Sequence, residues 1–114
     1  MSDPEAKALE AARAVVSVCD VLASMVDSGY ETFAADQRTQ WAVEMGLIRI
    51  GEGINRIPVD VLGRFPDQPW RQLMAMRNLA AHQCSDHDPG RGWTTLTRDI
   101  PSLRSYLVDV VTRL

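Results

Sequence analysis

WAVEMGLIRIGEGINRIP, residues 41–58, sets the expected fold class. Trp41, Met45, Ile48 and Ile54 read as one apolar side, and Leu47 and Ile50 widen the stripe. That spacing predicts a helix rather than a strand. The helix is expected to begin near Phe33 or Asp36 and to run to about Arg56, with Pro58 ending it. Gly46, Gly51 and Gly53 each cost such a helix about 1 kcal/mol against alanine. Glycines kept at that cost suggest the close approach of another helix.

The flanking sequence repeats the helical theme. Ser2-Asp3-Pro4-Glu5 offers an N-cap candidate, a first-turn proline and an early acid. Leu9, Ala12, Val15, Val16, Cys19, Leu22, Met25 and Val26 then recur at helical spacing, and Asp27-Ser28-Gly29 stops them. A short helix is expected over Val59 to Arg64. Asp67-Gln68-Pro69 starts another, packing through Trp70, Leu73, Met74, Ala80 and Ala81. Ser85-Asp86-His87-Asp88-Pro89-Gly90 is a loop by composition. A short helix around Trp93 to Thr97 follows. Asp99-Ile100-Pro101 caps a last helix that packs through Leu103, Leu107, Val110, Val111 and Leu114. No stretch reads as a strand. The expectation is an all-α, up-and-down bundle of about five helices, with residues 1–114 forming a single domain.

Composition narrows the function. The net charge is −3, which argues against general coating of nucleic acid. Lys7 is the sole lysine and every other basic residue is arginine, the better bidentate ligand for phosphate. A small arginine cluster on an acidic protein can still bind or cut RNA. No run reaches the length of a membrane span and no signal-peptide pattern opens the chain, so a cytoplasmic protein without a membrane partner is expected. Cys19 and Cys84 form no disulfide framework.

MRNLAAHQC, residues 76–84, places Arg77, Asn78 and His82 in an alanine-rich helical stretch. Such groups must be paired if buried, so they are either solvated or converge on a ligand. A histidine can take or give a proton near neutrality. A guanidinium can hold a phosphate and stabilise charge that builds up on it. With RNA, the ribose 2′-hydroxyl can be the nucleophile, and no metal is needed. Residues five apart sit roughly 140° apart on a straight helix. Arg77 and His82 therefore share one site only if the helix ends near His82 or if two copies meet about a two-fold axis.

These blocks resemble the HEPN superfamily, and within it the HepT-like toxins. Arg77-Asn78-Leu79-Ala80-Ala81-His82 matches the family's arginine, polar residue and later histidine. RIGEGINRIP (49–58) is similar to its IGE helix, PWRQLMAMRNLAAH (69–82) to its motif helix, and GWTTLTRDIPSL (92–103) to its W…DLP.L segment. The resemblance implies a dimeric bundle, in some members a higher oligomer of dimers. It implies an Arg–His motif at the dimer cleft that cuts RNA without a metal or other cofactor. It also implies an MntA-type nucleotidyltransferase antitoxin as partner. That partner can transfer AMP to a tyrosine two residues after the histidine. Here that position is Cys84, so modification there is not open to this chain, and Tyr106 is an alternative acceptor.

The candidate catalytic residues are thus Arg77, His82 and Asn78, with Glu52 and Cys84 as possible cleft-lining residues. Plainer readings stand beside them. Arg77 suits an interface ion pair, Asn78 a backbone cap, and His82 a helix C-terminus. Glu52 suits a pair with an arginine across the bundle, and Trp41, Trp70 and Trp93 suit core or interface anchors. His82, Cys84, Asp86 and His87 are zinc-type ligands, but no second ligand pair accompanies them, and no metal is expected. The alternative to a nuclease is a non-catalytic HEPN module that binds RNA or a partner protein.

Overall fold

A computed structural model of the chain describes residues 3–76, 78 and 89–114. Among them every regular element is helical. Helix α1 spans Pro4–Ser24. Its start is built as the sequence implies: the Asp3 carboxylate accepts the Glu5 N–H at 3.1 Å, and Pro4 takes the first turn, where a missing N–H costs nothing. Ala8, Ala12, Val15, Cys19 and Leu22 form its buried face. Gly29 follows at φ 84°, a conformation that favours glycine, and turns the chain into α2, Tyr30–Ala35.

Helix α3 spans Gln37–Asn55. Its cap, Asp36, accepts the Arg38 N–H at 3.1 Å and the Thr39 hydroxyl at 2.9 Å. The Thr39 bond, more than any other contact, holds the Asp36 carboxyl below the usual carboxylate range. The core face of α3 is Val43, Leu47, Ile50 and Ile54. This corrects the stripe expected from sequence. Thirteen residues at about 100° each put Ile54 about 140° away from Trp41. Trp41 and Met45 are accordingly 57% and 51% exposed, and Ile48 is half-buried.

The expected close approach is present at Gly46 and Gly53. A Cβ on Gly46 would lie 2.7 Å from Leu22 Cδ2, and one on Gly53 would collide with Val15 Cγ2. As α3 runs from 46 to 53, its partners on α1 run from 22 back to 15, so the two helices are antiparallel.

Short elements follow: α4 at Val59–Leu62, α5 at Trp70–Met74 and α6 at Pro89–Thr94. A π-helical turn at Thr95–Asp99 leads directly into α7, Ile100–Arg113. The expected separate helix and cap are replaced here by continuous helical backbone. Asp99 has φ −76° and ψ −40°, and its side chain makes no capping bond. Pro101 explains the change. In a regular α-helix its ring would collide with the Thr97 carbonyl, and the wider turn moves that carbonyl away.

Helix α1 is central, packed on α7 along one side and α3 along the other. Arg104 of α7 pairs with Asp20 of α1 at 2.6 Å, and Val111 lies by Val16, so these helices are also antiparallel. Leu22, Leu47, Leu96, Leu103 and Leu107 are all but fully buried between them, each contributing roughly 1.5–3 kcal/mol. The expected all-α, up-and-down architecture is therefore observed, with short turns of helix between the three long ones.

Candidate functional site

The candidate motif follows α5, and three side chains anchor that helix. Trp70 donates its indole N–H to the carbonyls of Phe65 at 2.9 Å and Leu62 at 3.2 Å. Leu73 and Met76 bury their side chains in the core. Asn78 then donates its backbone N–H to the Ala75 carbonyl at 2.9 Å, which keeps it on a helical turn, and it is exposed. Its position suits contact with a ligand, since no burial penalty attaches to its amide.

Arg77, His82 and Cys84 lie outside the described residues, as do Ala80, Ala81 and the string His82, Cys84, Asp86 and His87. Glu52 sits on the exposed side of α3, where no ion pair or hydrogen bond ties its carboxylate to another described residue. The expected cross-bundle pair with an arginine is thus not among the described contacts. Among the described residues no group of three or more metal-type ligands converges.

A second tryptophan organises the far side of the motif segment. Trp93 on α6 packs edge-on to Tyr30 at 5.7 Å between ring centroids and against Phe33 at 5.5 Å. Such pairs add about 0.5–1.5 kcal/mol each beyond burial. They fix α6 on α2. Both described flanks of residues 79–88 are therefore held by a tryptophan.

Between α5 and α7 lies an open groove of about 530 Å³. Leu73, Ala75 and Met76 form one wall, and Asp99, Leu103 and Tyr106 the other. It was not legible in the sequence, because its walls come from segments more than twenty residues apart. Tyr106 is 40% exposed at its rim.

Cys19 is buried under α7, and burial pushes its thiol up to about 11, with Asp20 adding to the shift. It stays protonated at neutral pH and is no nucleophile. No helix of the described residues is long and apolar enough to cross a membrane.

Comparison with known proteins matches the sequence to a family. The family described as Ribonuclease HepT-like matches residues 15–110, a span that includes the whole of the Arg77–His82 segment. A Thermococcus cleftensis protein named "Probable ribonuclease HepT" is 39% identical over 75 residues, 66% of this chain and 68% of the relative. A Methanocaldococcus jannaschii protein named a "Putative RNase" is 28% identical over 92 residues, 81% of this chain and 79% of its own. A "Putative RNase" of Caldanaerobacter subterraneus is 22% identical over 98 residues, 85% of this chain and 88% of its own. No solved structure matches at a significant level. The family match covers most of the chain, and the Thermococcus relative is 39% identical over 66% of it: the chain belongs to the HepT-like ribonuclease family.

Proposed function

We propose that this chain is a HepT-like toxin, a metal-independent endoribonuclease that works as a homodimer in the cytoplasm. The observation that carries the reading is the family match across the segment holding Arg77, Asn78 and His82. The exposed position of Asn78, on a helical turn just after α5 and behind the anchors Trp70, Leu73 and Met76, supports it.

In this reading the ribose 2′-hydroxyl attacks the adjacent phosphorus as His82 accepts its proton. Negative charge builds on the non-bridging oxygens, and Arg77 binds them through its guanidinium fork. The 5′-oxygen leaves with a proton, and a 2′,3′-cyclic phosphate and a 5′-hydroxyl end result. The motif histidine, His82, supplies one proton-transfer group per chain. A dimer supplies the second, and it also answers the 140° separation of Arg77 and His82 on a straight helix. Asn78 orients one of them. A nucleotidyltransferase-fold antitoxin of the MntA type neutralises the enzyme. With Cys84 at the family's tyrosine position, that partner acts by binding or by modifying another residue such as the exposed Tyr106.

The test is cleavage of an RNA pool in EDTA by wild type, Arg77→Ala and His82→Ala. The reading requires cleavage by the wild type and its loss in both variants. Cleavage that persists in both would assign the activity to a contaminant. RNA retention by the wild type without any cleavage would establish the binding-module alternative.

A further inference from the structure

The groove between α5 and α7 has a polar rim whose side chains have no partner among the described residues. Gln72, Asp99, Ser102 and Tyr106 line it, and none makes a side-chain hydrogen bond or ion pair with a described residue. Neighbouring polar groups are engaged: Thr97 donates to the Trp93 carbonyl at 2.8 Å, and Arg104 pairs with Asp20. Asp99 is free for a definite reason. It stands where a helix cap would stand, but the π turn carries helical backbone through it, so its carboxylate has no N–H to accept.

The groove is also close to the motif in the chain. Ala75 and Met76 form part of its wall, and the Ala75 carbonyl accepts the backbone N–H of Asn78. Its volume of about 530 Å³ falls within the range of about 300–1,000 Å³ usual for small-ligand sites. Leu73, Met76 and Leu103 give it apolar walls suited to the faces of a flat ring. Among the described lining residues none is cationic and Asp99 is anionic, so this part of the groove disfavours a phosphate.

We propose that this groove receives a nucleobase of the RNA beside the scissile phosphate, and that Asp99 selects guanine. The inference rests on the ribonuclease reading above. Guanine alone among the four bases presents two adjacent donors on its Watson–Crick edge, N1–H and the N2 amine, and a carboxylate accepts both. Adenine and cytosine offer one donor beside an acceptor. Uracil flanks its single N–H with two carbonyl oxygens, which the carboxylate repels. A bidentate pair of this kind discriminates by about fivefold at the weak end of its range, which suits the exposed position of Asp99.

The experiment sequences the ends produced from an RNA pool with randomised positions, using wild type, Asp99→Asn and the groove-filling Ser102→Trp. Both substituted residues are exposed, and thermal midpoints close to wild type confirm that the variants fold. Wild type is expected to enrich guanosine at least about fivefold at one position flanking the cut. Asp99→Asn should bring that preference within about twofold of the other bases, and Ser102→Trp should abolish it. Cleavage by wild type without a base preference overturns the proposal, as does a guanine preference that survives both substitutions. A changed oligomeric mass in Ser102→Trp with base preference intact would assign the groove to a second copy of the chain, which also overturns it. Amide NMR shifts on adding guanosine or uridine 5′-monophosphate give a readout that needs no cleavage. Shifts at Ala75, Leu103 and Tyr106 with the guanine nucleotide alone support the groove even if no RNA is cut. No shift, or equal shifts with both, refutes it.

Discussion

Replacing Gly53 by alanine sets two measurable effects against each other. In an exposed helix the change would stabilise by about 1 kcal/mol, because alanine has the higher helix propensity. Gly53 instead faces Val15, whose Cγ2 would collide with the new methyl. Val15 is 1% exposed and stiff about χ1, so it cannot rotate away freely. Overpacking of this kind costs about 1–3 kcal/mol, and the sum should be net destabilisation of about 1 kcal/mol. Val15→Ala alone leaves a cavity and should cost about 2 kcal/mol. In the double variant the new methyl occupies space that Val15 vacates. The coupling should therefore be favourable by at least about 1 kcal/mol. Urea unfolding followed by circular dichroism, at one fixed protein concentration, measures all four corners of the cycle. Stabilisation of Gly53→Ala by its full propensity gain, or additivity of the two changes without coupling, would refute a tight Gly53–Val15 contact.

The remaining expectations follow from the site, the charges and the thiols. RNA cleavage should vary between about pH 5 and 8, as expected for a histidine-dependent reaction, and a flat pH–rate profile would count against His82. Arg77→Lys should recover only part of the activity lost in Arg77→Ala, because lysine lacks the bidentate fork; full recovery would reduce Arg77 to a point charge. The lowered carboxyl of Asp36 contributes stability that is present above its ordinary value of 3.8 and is lost as pH falls through its lower folded value. Asp36→Asn should thus shrink the difference in urea midpoint between pH 7 and pH 3. Cys19 has the opposite sign: its contribution is complete below 9.0 and fades as pH rises through about 11. In Cys84→Ala, which leaves Cys19 as the single thiol, a disulfide reagent at pH 8 should react only after denaturant is added. Light scattering at micromolar concentration should give the mass of a dimer or of a larger assembly of dimers.

Features encoded within a few residues of one another were legible in the sequence. The Asp3–Pro4–Glu5 start of α1 is one, and the glycines of α3 are another, since a costly residue in a helix marks a tight contact. Leu103, Leu107 and Val110 were placed correctly because their spacing admits a single buried face. Trp41 and Met45 were misplaced because large apolar residues occupy both sides of α3, and composition cannot say which side meets α1. Helix α2 was missed because six residues after a positive-φ glycine leave too short a pattern. The site divides the same way. Arg77, Asn78 and His82 form a contiguous motif, whereas Met76 and Asp99 come to one groove only because α5, packed on α3, and α7, packed on α1, flank the same opening.

The π turn at Thr95–Asp99 also acts as a phase shifter within one continuous helical rod. Residues before it answer to α2 through Trp93, and residues after it answer to α1 through Leu103 and Leu107. Deleting one residue from the turn would rotate the two halves by about 100° relative to each other. Either the Trp93 contacts with Tyr30 and Phe33 or the seam with α1 would then fall out of register. A single-residue deletion should therefore be tolerated far less well here than in the surface turn Asp27–Ser28, even though both are short connections between helices.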